Sequence, residues 1–371
     1  MSLPSSVVIG ALETRIDLPT LDGQRLLVLQ IRRLGDAVIS TALIESLAAT
    51  FPGLKIEVLA HVSMKRVYQF NPHVSKLHVS EFPVGLSRMG IWAPFRLLRL
   101  LRKCIELRLS SFDLCVNTVG DLREIAIGRI VSRGRNVSVK WLPEHPFFKQ
   151  VKSGLFGLVD DAVAIPTTVL NIYDAIAFFG RSLGCSMNKR PKLYDLDGEP
   201  ISAMPEQSVV GIHPFSSDSW RTWPAGLWAR LVSELRNRLI KVRLFAASSE
   251  ESKLQEIFGE LVDNNWVTID VGGIGSFFEA LRRVTVLIGM DSFAVHSAYA
   301  IGIPTVMLNG SNDFRVWCPP NSRVINGGPA CVYYPCFNRP RCRGSSSEFI
   351  CFSSITVEQV LGAVEPFLRP E

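Results

Sequence analysis

Leu26-Leu27-Val28-Leu29-Gln30-Ile31-Arg32-Arg33-Leu34-Gly35-Asp36 is the stretch that decides the fold. Leu26 to Gln30 reads as a buried strand, Ile31 to Gly35 as a short turn, and Asp36 to Thr50 as the helix that follows. A turn between a buried strand and a helix is where open parallel sheets place their ligands. Gly35 would let the backbone approach a ligand closely. Asp36, at the helix N-terminus, has two uses: as a cap it stabilises the helix by ~0.5–2 kcal/mol, and as a carboxylate at a strand end it suits a general base for an acceptor hydroxyl.

Outward from this stretch the same alternation repeats. Ile56 to Ala60, Asp113 to Asn117 and Asn136 to Val139 are further strand candidates in the first half. A second series begins with Val209 to His213 as strand and Gly226 to Arg238 as helix, followed by a strand over Val242 to Ala246. Thr268-Ile269, the helix Phe277 to Arg283, the strand Val286 to Ile288, the helix Ala294 to Ala300 and the strand Pro304 to Leu308 complete it. Strands alternating with amphipathic segments indicate βαβ units around parallel sheets. Lys189 to Pro205, rich in Pro, Gly and Asp, reads as a linker. The expectation is α/β: two Rossmann-like domains facing each other across a cleft. They would cover residues 1–190 and 206–354, with a C-terminal helix over 355–371 packing back toward the N-terminal domain.

Composition narrows the function. An apolar share of 47% with 20% charged residues in 371 excludes disorder as the main state. Forty basic residues against 34 acidic leave +6, far from the charge of a dedicated nucleic-acid binder. Mean hydropathy is positive, yet no charge-free apolar run of ~18 residues exists to span a membrane. Met1 to Thr20 meets Glu13, Arg15 and Asp17 before any sustained apolar stretch, which argues for a cytoplasmic start and against a secretory signal.

Four further segments carry chemistry. In His213-Pro214-Phe215-Ser216-Ser217, followed by Trp220-Arg221-Thr222-Trp223-Pro224, two hydroxyls and an arginine on one post-strand loop suit a diphosphate; a Pro-bounded loop anchored by Trp223 is the plain alternative. Asp291-Ser292-Phe293-Ala294-Val295-His296 ends a strand and opens a helix, whose free N–H groups bind phosphate, although a lone helical His is more often a core residue. Phe95 to Leu109 sets Leu97, Leu98, Leu101 and Ile105 among Arg96, Arg99, Arg102, Lys103 and Arg108. This is either an ordinary surface helix or a basic face for anionic lipid or a phosphorylated glycolipid. Finally, Cys331-x4-Cys336-x5-Cys342-x8-Cys351 could hold a structural zinc or iron, or leave reduced, partly buried thiols, since no C-x-x-C pair is present.

Taken together, Arg25 to Leu361 resembles the ADP-heptose:lipopolysaccharide heptosyltransferase family, inverting glycosyltransferases of the GT-B fold. Leu34-Gly35-Asp36 is similar to the family's first loop, which implies Asp36 as catalytic base. Phe112-Asp113-Leu114-Cys115-Val116-Asn117 with Gly120 and Arg123 resembles the acceptor-side Tyr-Asp-Leu-x-Ile-Asp…Gly-x-x-Arg stretch, with Asn117 in place of Asp. The resemblance implies acceptor binding by Arg32, Asp121 and Arg123. Arg221-Thr222-Trp223-Pro224 looks like Lys-Arg-Trp-Pro with Arg221 in place of Lys, implying that Arg221 meets diphosphate charge during catalysis. Ser216, Ser217, Glu250, Asp291, Ser292 and His296 are implied in donor binding, Glu250 at the ribose. Phe293 replaces the Gly of Asp-Ser-Gly-x-x-His and would crowd a diphosphate.

The reaction that this resemblance implies is transfer of heptose from ADP-heptose to a lipopolysaccharide inner-core acceptor, with inversion and no required cofactor. The acceptor would be an anionic glycolipid at the inner face of the inner membrane, reached by a cytoplasmic, peripherally bound enzyme. The cysteine cluster is also similar to that of heptosyltransferases acting on autotransporter proteins, which hold iron with four cysteines. A protein acceptor and a catalytically impaired sugar-nucleotide binder are the alternatives; a GT-B epimerase lacks the acid and base it would need.

Overall fold

The computed structural model describes residues 16, 21–81, 93–142, 144–145, 157–187, 190–206, 208–218, 220–263, 265–337 and 339–368. The expected cytoplasmic start, apart from Ile16, lies outside them, as do residues 146–156. The first series runs β1 (Arg25–Gln30), α1 (Leu34–Thr50), β2 (Lys55–His61), α2 (Lys65–Tyr68), β3 (Val74–Ser80), α3 (Ala93–Leu109), β4 (Leu114–Asn117), α4 (Leu122–Val131), β5 (Arg135–Trp141), β6 (Asp161–Ile165) and α5 (Ile172–Ser182). The second runs β7 (Val209–His213), α6 (Ala225–Asn237), β8 (Lys241–Ala247), α7 (Glu251–Phe258), β9 (Val267–Gly272), α8 (Ile274–Leu281), β10 (Val286–Met290), α9 (Phe293–Ile301), β11 (Thr305–Asn309), α10 (Phe314–Trp317), β12 (Arg323–Asn326), α11 (Ile350–Ser353) and α12 (Val357–Val364).

Each series forms one six-stranded sheet, ordered β3-β2-β1-β4-β5-β6 and β12-β11-β10-β7-β8-β9. The pairs β1–β2, β1–β4, β4–β5 and β5–β6 run parallel in the first. So do β10–β11, β10–β7, β11–β12, β7–β8 and β8–β9 in the second. Strand order reverses at β1 beside β4, and at β7 beside β10. Ligands of open α/β sheets bind outside the carboxyl ends of the strands at such reversals. The segments after β1, β4, β7 and β10 are those carrying Asp36, Asp121 with Arg123, Ser216 to Arg221, and Asp291 with Ser292.

Contacts divide the chain into two compact units. One holds Met1–Ile31, Leu43–His61 and Ser75–Lys189; the other holds Arg32–Ala42, Val62–Val74 and Arg190–Glu371. The turn bearing Gly35 and Asp36 belongs to the second unit although β1 belongs to the first. Val357, Val360, Leu361 and Val364 of α12 lie in the second unit's core with Trp223, Trp228 and Leu231. These four α12 residues fall at i, i+3, i+4 and i+7, one face of a helix.

Candidate functional site

In the first unit the loop after β4 is closed by its own residues. Asn117 is fully buried; its Oδ1 accepts from Val119 N at 3.0 Å and Gly120 N at 2.9 Å, and its Nδ2 donates to Asp121 O at 3.1 Å. The last bond needs an amide, so the departure from Asp has a use here. Gly120 sits at φ +78°, and a Cβ there would stand 2.6 Å from Val139 O, which excludes any other residue. Asp121 caps α4, accepting from Arg123 N at 2.9 Å and from Arg123 Nε at 3.0 Å. The Asp121 hydrogen bond holds the Arg123 guanidinium more firmly protonated than usual. Glu124, fully buried, accepts from Ile31 N at 2.7 Å and so fixes the chain where β1 ends. Neither Glu124 nor its role is signalled in the sequence, because the partner is a backbone amide 93 residues away.

In the second unit the turn Arg32 to Asp36 meets α9. A Cβ on Gly35 would lie 2.9 Å from His296 Cδ2, so the glycine backbone rests on the imidazole. Asp36 follows in the first turn of α1, where a helix favours negative charge, and it is only 6% exposed. Arg32, beside it, is partly exposed. His296 is buried, and burial pushes its pKa down to about 4 against the opposing pull of Asp291. It is therefore neutral at pH 7.

Arg221 links the loops after β7 and β10. It is 6% exposed; its Nη2 donates to Ser217 Oγ at 3.2 Å, its Nε faces Asp218 Oδ2 at 3.4 Å, and its Nη1 faces Asp291 Oδ2 at 3.7 Å. Asn312 Nδ2 donates to the same Asp291 oxygen at 2.7 Å. Arg221 and Asp291 border a small pocket whose other walls are Met290, Leu308, Asn309, Gly310, Ser311 and Phe352. Ser292 stands at the N-cap of α9 but makes no capping bond, and its hydroxyl is buried with no hydrogen-bond partner among the described residues. Phe293, expected to crowd this region, packs its ring 5.7 Å from Phe277 and 5.9 Å from Phe278.

Among the residues expected in donor binding, Ser217, Asp291, Ser292 and His296 cluster on these elements with Arg221. Ser216 and Glu250 are engaged locally: Ser216 Oγ donates to Asp218 O at 2.9 Å, and Glu250 Oε2 accepts from Ala247 N at 3.0 Å. The Glu250 carboxylate opposes the burial that lowers the His213 pKa at the end of β7. Asp218, between Ser217 and Arg221, and Asn312, after β11, are additions that the sequence does not single out.

Cys331, Cys336, Cys342 and Cys351 line one pocket with Trp220, Tyr334 and Phe349. All four are free, and among the described residues no three His, Cys, Asp or Glu side chains are disposed to hold a metal ion. Burial, aided by the other three thiols, pushes the Cys351 thiol up to about 12. The four thiols on this pocket have the chemistry that zinc or iron takes.

Known proteins share this architecture. Residues 169–344 match Glycosyltransferase family 9 (heptosyltransferase). Lipopolysaccharide heptosyltransferase 3 of Escherichia coli (strain K12) is 19% identical over 297 residues, covering 78% of this chain and 84% of its own. A glycosyl transferase family 9 structure from Veillonella parvula DSM 2008 superposes with TM-score 0.69 at 17% identity, over 94% of this chain and 98% of that one. E. coli heptosyltransferase WaaC with ADP-2-deoxy-2-fluoro heptose gives TM-score 0.68 at 15% identity, over 92% and 99%. The α/β fold with two parallel sheets is thus the GT-B fold of those structures.

Proposed function

We propose that this chain, whose residues 169–344 match glycosyltransferase family 9, is a glycosyltransferase that moves heptose from ADP-heptose to a lipopolysaccharide inner-core acceptor, with inversion at the anomeric carbon. The donor diphosphate lies at the N-terminus of α9, where the Ser292 hydroxyl has no partner of its own and the helix supplies free N–H groups. Arg221 and Ser217 border it. Glu250 has Oε1 for a ribose hydroxyl while Oε2 holds its own turn, and Ser216 shapes the loop. Asp36 takes the proton of the acceptor hydroxyl as that oxygen bonds to the anomeric carbon. The bond from that carbon to the diphosphate oxygen breaks, and ADP leaves with its charge met by Arg221 and the α9 amides.

His296, neutral at pH 7, can orient by a hydrogen bond but adds no charge. Arg32 and Arg123 offer cations to an anionic glycolipid at the cytoplasmic face of the inner membrane, Asp121 positioning Arg123. The cysteine pocket takes no part in transfer.

The observation that carries this reading is the seating of Gly35 on the His296 ring, which sets the buried Asp36 beside the helix that receives the diphosphate. The test is nucleotide release from ADP-heptose, compared with UDP- and GDP-sugars, with deacylated lipopolysaccharide core as acceptor. Acceptor-dependent ADP release that Asp36→Ala reduces by roughly 10²–10⁴-fold is expected. Near-normal turnover of Asp36→Ala would end its role as base. Release only with a protein acceptor would move the acceptor class, and silence with every donor would leave a binding protein.

A further inference from the structure

Helix α3 has two apolar faces, one buried in a core and one exposed. Leu107 and Cys104 are buried in the first unit's core, with Leu100 packed against it. At 3.6 residues per turn the outward arc carries Phe95, Leu98, Leu101, Ile105 and Leu109. All five are exposed, from 46% at Leu101 to 69% at Leu109. Large apolar side chains gathered on one surface stripe mark an interaction site.

The charges around the stripe are of one sign. Arg99 and Arg102 are exposed on the same helix, and Arg129 and Arg133 are exposed at the end of α4, which packs beside it. Among the described residues none of these four makes an ion pair. Glu106, the one acid on α3, is taken by Lys103 Nζ at 2.7 Å. Arg108 Nη1 donates to Ile130 O at 2.8 Å and holds the two helices together.

We infer that α3 is an in-plane membrane anchor, its apolar stripe entering the acyl boundary and its arginines meeting anionic headgroups. Long arginine stems can lie along the apolar surface while their heads stay at the headgroups. A second copy of the chain fits less well, because a two-fold interface would set the same unpaired arginines against one another. The inference deepens the membrane-side acceptor proposed above by naming the surface that docks. It can be tested without donor or acceptor, so the two proposals fail separately.

The experiment is co-sedimentation of the full chain with vesicles of phosphatidylcholine alone and of phosphatidylcholine with phosphatidylglycerol. Binding to the anionic vesicles, weakened by salt, is expected. Arg99→Glu with Arg102→Glu should lower the partition coefficient by roughly 30-fold or more. Leu98→Gln, Leu101→Gln and Ile105→Gln together should also release the protein, with thermal unfolding unchanged because all three are exposed. Equal partition on both vesicle types, no binding to either, or variants that bind like the parent would overturn the inference. So would sedimentation velocity showing a dimer that the three glutamines dissociate. If that variant does not fold, the charge pair decides alone.

Discussion

Helices α4 and α9 begin at equivalent places, each following the strand beside its sheet's reversal strand, yet the two starts are finished in opposite ways. At α4 the cap is filled from within: Asp121 accepts from Arg123 N and holds the same residue's guanidinium, and Asn117 satisfies the loop amides. At α9 the cap residue makes no such bond, and the Ser292 hydroxyl is buried without a partner. Buried polar atoms in native proteins normally find partners. On the proposed function, the α9 start, left open beside a buried arginine, is the one that takes the donor.

The largest effect separating the two should come from Arg221. Arg221→Ala is expected to lower turnover by roughly 10²–10³-fold; Arg221→Lys should recover part of this, because the charge returns without the planar fork. Loss of turnover with no change in donor KM would place Arg221 on the leaving group alone, and wild-type turnover in the alanine variant would break the contrast.

The next is an acid effect on stability. Burial lowers the His296 pKa from 6.5 to about 4, so between these values the unfolded chain binds more protons than the folded one. The contribution of His296 is fully present above pH 6.5 and declines as pH falls toward 4, by up to roughly 3 kcal/mol. Urea midpoints across that window should fall less steeply for His296→Gln than for the parent; parallel slopes would show that the open start does not depend on a neutral imidazole.

The smallest effects give the sharpest comparison. Asp121→Ala should cost about 1 kcal/mol of stability, read as a lower Tm. Ser292→Ala should leave Tm unchanged or slightly raised, since it removes an unsatisfied buried hydroxyl, while raising the donor KM several-fold. If both variants lose stability equally, the two helix starts do not differ in purpose.

The interior of each sheet is legible directly in the residues. β1, β7, β10 and β11 are apolar nearly throughout because helices cover both their faces. Three edge strands, β3, β6 and β12, are not. Their burial is broken, as in Val74–Ser80, where only His78 and Ser80 are buried, and the run Ala162 to Ile165 in β6 is too short to decide between strand and helix by itself. Element ends differ from expectation by one to three residues, as at α1, which begins at Leu34 and not Asp36, and α8, which begins at Ile274 and not Phe277. Of the site, residues inside one short motif are legible: Asp36, Arg221, Asp291 and His296. Glu124 and Asn312 are not, because their meaning depends on which distant segment the fold sets against them, Ile31 in one case and Asp291 in the other.

The bond from Ile31 N to Glu124 also orders events in time. It joins residues 93 apart, and contacts of such separation form only after a long loop has been closed. The strand leading to the turn that bears Asp36 can pair with β2 soon after synthesis, but the amide of Ile31 finds its carboxylate only once β4 and α4 have emerged from the ribosome and docked. A nascent chain halted before Glu124 would therefore carry β1 without the bond that fixes its end.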